Sequence, residues 1–154
     1  MKILVTGASG FIGRALIPRL IQSGHDVVAA SRDANTELDG ATIQPTAELG
    51  PDTDWREALR EVEAVIHLAA RVHVMSDSAL DAMAENRRIN TEGTGKLAKD
   101  AAMAGVRQFI FMSTIKVNGE TSDVEPFRAY DIPTPKNPYA IAKLEAEEAL
   151  LQTA

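Results

Sequence analysis

Short apolar runs alternate along this chain with longer stretches whose apolar residues recur at helical spacing. The run "KILVT", residues 2–6, is apolar on both faces and bounded by glycine, which predicts a buried strand. From Phe11 to Ile21 the positions Ile12, Ala15, Leu16, Leu20 and Ile21 share a helical face, and Gly24 supplies a stop. Pro18 lies inside that helix and is expected to distort it, because it removes one backbone bond. "DVVAAS" predicts a second buried strand. The polar, turn-rich stretch from Arg32 to Pro51 then leaves room for one short strand near "ATIQ". "TDWREALREV" reads as a brief helix capped by Thr53 or Asp54. "AVIHLAA" is a strand ending in small residues, a long helix runs from about Leu80 to Ala104, and "QFIFMST" is a further strand. Between Ile115 and Pro138 lies an irregular loop with three prolines, followed by a terminal helix.

Strands that are apolar on both sides and alternate with helices describe an α/β fold, a parallel sheet with helices on both faces. Right-handed crossovers make it doubly wound, with the expected strand order 3-2-1-4-5. Ligands of such sheets bind beyond the carboxyl ends of the strands, where the order reverses. That rule selects "GASGFIG", "AARVH" and "STIKVNG", the segments after the first, fourth and fifth strands.

Composition narrows the function classes. The 154 residues are read as one domain, 1–154, large enough to bury roughly 68–70% of its unfolded surface. Acidic residues outnumber basic ones 22 to 16, with no Lys/Arg cluster, so nucleic acid is not an expected partner. A hydrophobic share of 45% with mixed charges describes a soluble globular chain. The absence of cysteine excludes disulfides, thiol catalysis and thiolate metal sites. No apolar run is long enough to span a bilayer, and glycine arrives too early in "MKILVTGASG" for a signal-peptide core. A cytoplasmic protein without membrane contact is expected. His25, His67 and His73 lack ligand spacing, so no metal site is expected. The Glu145, Glu147, Glu148 run reads as a solvated helix face.

Gly7, Gly10 and Gly13 stand between the first strand and the first helix. A pyrophosphate needs close approach of backbone N–H groups, which side chains would obstruct, and the helix N-terminus adds about half a positive charge there. Three glycines also suit a plain tight turn, but strand, loop and helix stand in the order that dinucleotide binding requires. No Gly-Lys-Ser/Thr follows, which excludes a P-loop. The second strand ends "AASRD", with Ser31 and Arg32 where an NAD site offers an acid to the ribose. Serine and arginine suit a 2′-phosphate, which favours NADP(H). The alternative is that Arg32 is solvated and Asp33 serves the ribose of NAD one position late.

Tyr139 and Lys143 lie four residues apart on the terminal helix and would share a face. Phenol ionises near pH 10, and a neighbouring ammonium favours phenolate, so the pair suits proton transfer. By itself the spacing also fits two exposed residues without a task.

The glycine loop G-x-x-G-x-x-G, "IHLAA", Asn90 within the long helix, "STIKVNG" and "YAIAK" occur in one order over nearly the whole chain. Together they resemble the extended short-chain dehydrogenase/reductase family, a Rossmann-type fold, and within it the nucleotide-sugar epimerases, dehydratases and 4-ketoreductases. The resemblance implies that Tyr139 is the acid/base on a sugar hydroxyl or ketone and that Lys143 holds the nicotinamide ribose and lowers the tyrosine pKa. Thr114 would bond to the reacting oxygen, with Ser113 beside it against the cofactor. It further implies cofactor contacts from Gly7, Ser9, Gly10, Phe11, Ile12 and Gly13, and from Ser31 and Arg32. Glu48 and Leu49 would touch adenine, Leu68, Ala69 and Ala70 would lie under the nicotinamide half, and Asn90 would sit near cofactor and catalytic strand. A helix-packing notch is the other reading of Asn90 with Gly93 and Gly95.

Two departures direct the choice within the family. Ile115 and Lys116 stand where the 4,6-dehydratases carry Asp-Glu, which disfavours dehydration, and Asn118 replaces the usual tyrosine of V-Y-G. The resulting expectation is an epimerase or 4-ketoreductase acting on a nucleotide-diphosphate sugar, with a non-catalytic NAD(P)-binding sensor or scaffold as the alternative. The resemblance also implies a C-terminal substrate-binding lobe beyond this chain, so the expectation is a fragment that turns over little substrate alone. A homodimer through the long central and terminal helices completes the expectations.

Overall fold

The computed structural model describes residues 1–72, 79–122 and 125–153. His73 lies outside them. Five parallel strands form one sheet in the order β3-β2-β1-β4-β5: β1 is Lys2–Thr6, β2 Asp26–Ser31, β3 Thr42–Pro45, β4 Ala64–His67 and β5 Gln108–Phe111. The order is the expected one. Alternation along the strands divides the core into two layers. Leu4, Val28, Ala30 and Val65 pack with Trp55, Leu59, Ile89 and Leu97 on one face, while Ile3, Val5, Val27, Ala29 and Ile66 pack with Ile17 on the other.

Helix α1 (Phe11–Gln22) runs unbroken through Pro18, which only deprives the carbonyl four residues back of its usual donor. Gly24 ends it in the left-handed region, φ 80°. The expected long helix is real but has three parts: α2 (Ala79–Asn86), a π-helical turn (Arg87–Glu92) and α3 (Gly93–Met103). Gly93 explains one of its weak helix formers, since a Cβ there would fall 3.0 Å from the backbone nitrogen of Gly50 and from Cγ of Leu49. That close approach is a packing notch.

The segment 53–62 is not a helix. One i to i−4 bond forms, from Leu59 to Trp55 at 2.9 Å, and the remaining bonds reach only three residues back. A stretch this short does not repay helix nucleation, and burial of Trp55, Ala58, Leu59 and Val62 is satisfied by successive turns. Thr53 does not act as the cap, its hydroxyl donating to the Glu48 carbonyl at 2.7 Å, whereas Asp54 Oδ1 accepts from the Arg56 amide at 3.1 Å, a capping contact at the head of these turns. Strands β4 and β5 are also shorter than read, ending at His67 and Phe111. Their last residues leave the sheet and become loop at its carboxyl edge.

After β5 a short 3-10 turn (Ile115–Val117) opens the long loop, and α4 (Pro138–Thr153) closes the chain. Asn137 caps α4, its Oδ1 accepting from the Ala140 amide at 2.9 Å, and Pro138 fills the first helical position. This start fixes Tyr139 in the first turn. The acidic run on α4 is not simply solvated: Arg87 donates two hydrogen bonds of 3.0 Å and one of 2.6 Å to Glu145, and the Ser113 hydroxyl donates to Glu147. Among the described residues, no helix is long and apolar enough to cross a membrane.

Candidate functional site

The carboxyl ends of β1, β2 and β4 enclose a cleft of about 500 Å3, within the roughly 300–1,000 Å3 usual for small-molecule sites. Of the residues expected to hold a cofactor, Gly7, Ser9, Gly10, Ser31, Arg32, Glu48, Leu49, Leu68, Ala69 and Ala70 line it.

The glycine loop is built for close approach. Gly7 has φ +67°, and a Cβ on it would fall 2.7 Å from the Ala69 nitrogen and 2.8 Å from the Leu68 carbonyl carbon. Its backbone therefore lies directly against the loop that follows β4. Gly13 is buried under the turn, where a Cβ would meet the Ala8 carbonyl oxygen and lie 2.6 Å from that of Gly7. Gly10 begins α1 without a capping side chain, and no acidic residue sits in the first helical turn. The first amides of α1 and its positive end are thus left for an anion. Phe11 and Ile12 project outward, 94% and 44% exposed, and neither they nor Gly13 line the cleft.

A buried strut holds the two lips together. The Ala69 amide donates to Oγ1 of Thr6 at 3.2 Å, leaving the Thr6 hydroxyl hydrogen for Nδ1 of His67 at 2.6 Å. Nε2 of His67 then donates to Oγ1 of Thr94 on α3 at 3.0 Å. The imidazole is fully buried and stacked on Phe111, and burial, with Lys143 nearby, lowers its pKa to about 3. It is a neutral structural histidine at ordinary pH.

Asn90 does not line the cleft. Completely buried in the π-helical turn, it accepts from the Arg71 amide at 2.8 Å and donates to the Arg71 carbonyl at 3.0 Å. It also donates to Oδ1 of Asn86 at 2.9 Å. The side chain pairs with the backbone of the loop after β4 as a strand would, so it positions the loop that carries Ala69 and Ala70. π-Helical turns inserted in α-helices recur at functional sites.

At the end of β2, Ser31 is buried and its hydroxyl is shared with Thr36 at 2.7 Å while accepting from the Asp33 amide at 3.2 Å. Ser31 thereby shapes the turn. Asp33 accepts from the Asn35 amide at 2.9 Å, and Arg32 extends into solvent at the cleft rim.

The three expected catalytic residues lie outside the cleft, on α4 and the turn after β5, which pack together. Thr114 opens the 3-10 turn, its Oγ1 accepting from the Lys116 amide at 3.3 Å. Tyr139 is half-buried, and burial pushes its pKa above the ordinary phenol value. Lys143 is buried against β5, where Nζ donates to the Met112 carbonyl at 2.6 Å and lies 3.8 Å over the Phe111 ring. Burial lowers its pKa to about 8, against the opposing pull of Glu147. The expected lowering of the tyrosine pKa by Lys143 is therefore not found here. Ser113 likewise faces α4, donating to Glu147, and not the cofactor cleft.

The cleft also contains residues that sequence reading assigned to the core or left aside, among them Thr6, Thr46, Trp55 and Ile89. Their apolar or hydroxyl character carries no ligand signature, so only the topology reveals them.

A model of the NAD dependent epimerase/dehydratase family matches residues 3–154. The chain is 40% identical to a UDP-glucose 4-epimerase of Vibrio cholerae over 99% of its own length and 47% of that protein's. Among solved structures, MoeE5 in complex with UDP-glucuronic acid and NAD superposes with a TM-score of 0.84 at 31% identity, covering 99% of this chain and 49% of that one. A UDP-glucose 4-epimerase of Thermotoga maritima, solved with UDP-glucose, gives a TM-score of 0.78 at 30% identity, covering all of this chain and 51% of that one. The chain thus spans about half the length of the curated relatives it matches. With the glycine cradle, the strand order and the family match in agreement, the chain belongs to the NAD dependent epimerase/dehydratase family.

Proposed function

We propose that this chain carries the cofactor-binding and proton-transfer part of an oxidoreductase that epimerises or 4-reduces a nucleotide-diphosphate sugar. The observation that carries the reading is the cradle at Gly7 and Gly13, where any side chain would strike backbone. A nicotinamide dinucleotide fits it: backbone amides of the loop and the α1 N-terminus would hold the pyrophosphate, with Ser9 and Gly10 beside it. Ala69 and Ala70 leave room above the sheet for the nicotinamide half, and Leu49 and Glu48 border the adenosine end. When bound, that cofactor would take up or give back hydride.

The chain's own residues handle the proton. Tyr139 donates to, or accepts from, the sugar oxygen at the carbon that changes oxidation state, and Thr114 hydrogen-bonds to the same oxygen. With its pKa above the ordinary value, Tyr139 is neutral at pH 7 and is set as a donor. Lys143 would assist it on leaving the Met112 carbonyl. Self-association through the central and terminal helices belongs to the same reading.

For the cofactor, Arg32 supports NADP(H), since guanidinium suits a 2′-phosphate. NAD is the second reading, favoured by the NAD in the MoeE5 structure. A non-catalytic dinucleotide-binding scaffold is favoured by one observation, the engagement of Lys143 with Met112. Titration with NADPH and NADH, followed by assay of UDP- and dTDP-keto-sugars with the full gene product, separates these readings. Tight binding with no turnover of several keto-sugars would favour the scaffold.

A further inference from the structure

Helix α4 turns a smooth face inward: its buried residues are Ala140, Ala142 and Ala146, with Lys143 beside them. Alanines permit close approach, but they raise no ridges that interdigitate, so they do little to fix how a helix is rotated about its axis. Directional polar contacts do that instead, and two come from the π-helical turn. Oγ1 of Thr91 donates to the Ala142 carbonyl at 2.9 Å, with Oε2 of Glu145 3.3 Å away. Arg87, four residues before Thr91, holds Glu145 through its three hydrogen bonds. A carbonyl has two lone pairs, so Ala142 accepts from Thr91 without giving up its place in the helix ladder.

The place of this contact on α4 gives it a consequence for chemistry. Ala142 lies in the single helical turn that separates Tyr139 from Lys143. Asn90, next to Thr91, grips the Arg71 backbone in the loop that carries Ala69 and Ala70. Adjacent residues of one turn thus reach the cofactor loop on one side and the tyrosine's helix on the other. Once Lys143 leaves the Met112 carbonyl it no longer braces α4, and the contacts with Thr91, Arg87 and Ser113 remain to hold it. We propose that Thr91 is a positioning residue for Tyr139: its bond to Ala142 sets the rotation of α4, and the π-helical turn refers that rotation to the cofactor loop. This rests on the reading of Tyr139 as the proton donor and deepens it.

Thr91→Val removes the hydroxyl and keeps the branched shape, whereas Thr91→Ser keeps the hydroxyl; melting curves establish that both variants fold. In the full gene product, assayed with UDP- and dTDP-keto-sugars, Thr91→Val should lower kcat about tenfold and leave KM for the dinucleotide within about twofold, the pattern of a misplaced reacting group. Thr91→Ser should recover kcat to within about threefold of the unaltered protein. In the 154-residue chain, difference spectra of Thr91→Val with and without Tyr139→Phe should show the phenol ionising closer to its ordinary value than in the unaltered chain, because a loosened helix admits water to it. An unchanged kcat in Thr91→Val, equal losses in both variants, a rise in KM alone or an unmoved Tyr139 ionisation would overturn the assignment while leaving the proton-donor reading intact. Absence of turnover by the unaltered gene product with all of these sugars would overturn that reading and this inference with it.

Discussion

Nζ of Lys143 donates to the carbonyl of Met112 at 2.6 Å, bracing helix α4 against the chain just beyond β5. The lysine is 2% exposed, and its pKa falls from 10.5 to about 8 because burial disfavours the ammonium. The folded state therefore binds this proton less tightly than the unfolded one. Its contribution to stability is fully present above about pH 10.5 and is lost as pH falls through about 8. Replacing Lys143 by Met should remove that slope, so the stability of the unaltered protein relative to the variant rises by on the order of 2 kcal/mol between pH 7 and pH 10. Urea unfolding of both proteins at the two pH values measures it; a parallel pH dependence would show that Lys143 is not held in this environment.

Tyr139 tests the same arrangement from the other side. Its pKa is raised by burial, so phenolate absorbance from this residue should develop only above the ordinary range near 10. Difference spectra of the unaltered chain and Tyr139→Phe isolate the signal. Ionisation well below pH 10 would mean that a neighbouring cation stabilises the phenolate after all. In the full gene product, Tyr139→Phe should also reduce turnover by about a hundredfold or more, the usual scale for a lost acid/base.

His67 gives the acid limb. Its pKa of about 3 in the fold, against 6.5 ordinarily, means that stability present above pH 6.5 drains away as pH falls through about 3. His67→Gln should flatten the stability profile over that window. A profile as steep as the original would contradict the buried, neutral ring.

The glycine cradle predicts a contrast between two left-handed glycines. Gly7→Ala combines strain with a collision against the loop after β4, whereas Gly24→Ala at φ 80° meets nothing within 4 Å among the described residues. The second should cost about 1–2 kcal/mol, and the first clearly more, with loss of nucleotide binding. Equal costs in thermal melts would remove the argument that Gly7 exists for close approach.

The strands and their order were legible because a two-sided apolar run is both a local pattern and a statement of burial, as in Leu4 and Val5. The glycine loop was legible for a similar reason: its spacing reflects backbone geometry. What could not be read was where long or partnered side chains turn. Lys143 shares a face with the first turn of α4 by spacing, but its flexible stem lets the ammonium reach the Met112 carbonyl. Asn90 is expected from the sequence as a cofactor neighbour or a packing notch, and its side-chain hydrogen bonds to Asn86 and Arg71 depend on residues 4 and 19 positions away. The segment around Trp55 kept helical spacing without the length to sustain a helix.

Binding of the dinucleotide is the central claim, and the chain carries its own reporter. Trp55 is its only tryptophan and lines the cleft. Titration with NADP and NAD, followed by tryptophan fluorescence and calorimetry together, tests the claim most directly. Saturable binding of at least one of them with a matching change in Trp55 emission, abolished by Gly7→Ala, is the predicted result. Absence of binding by both methods in the folded chain would contradict it.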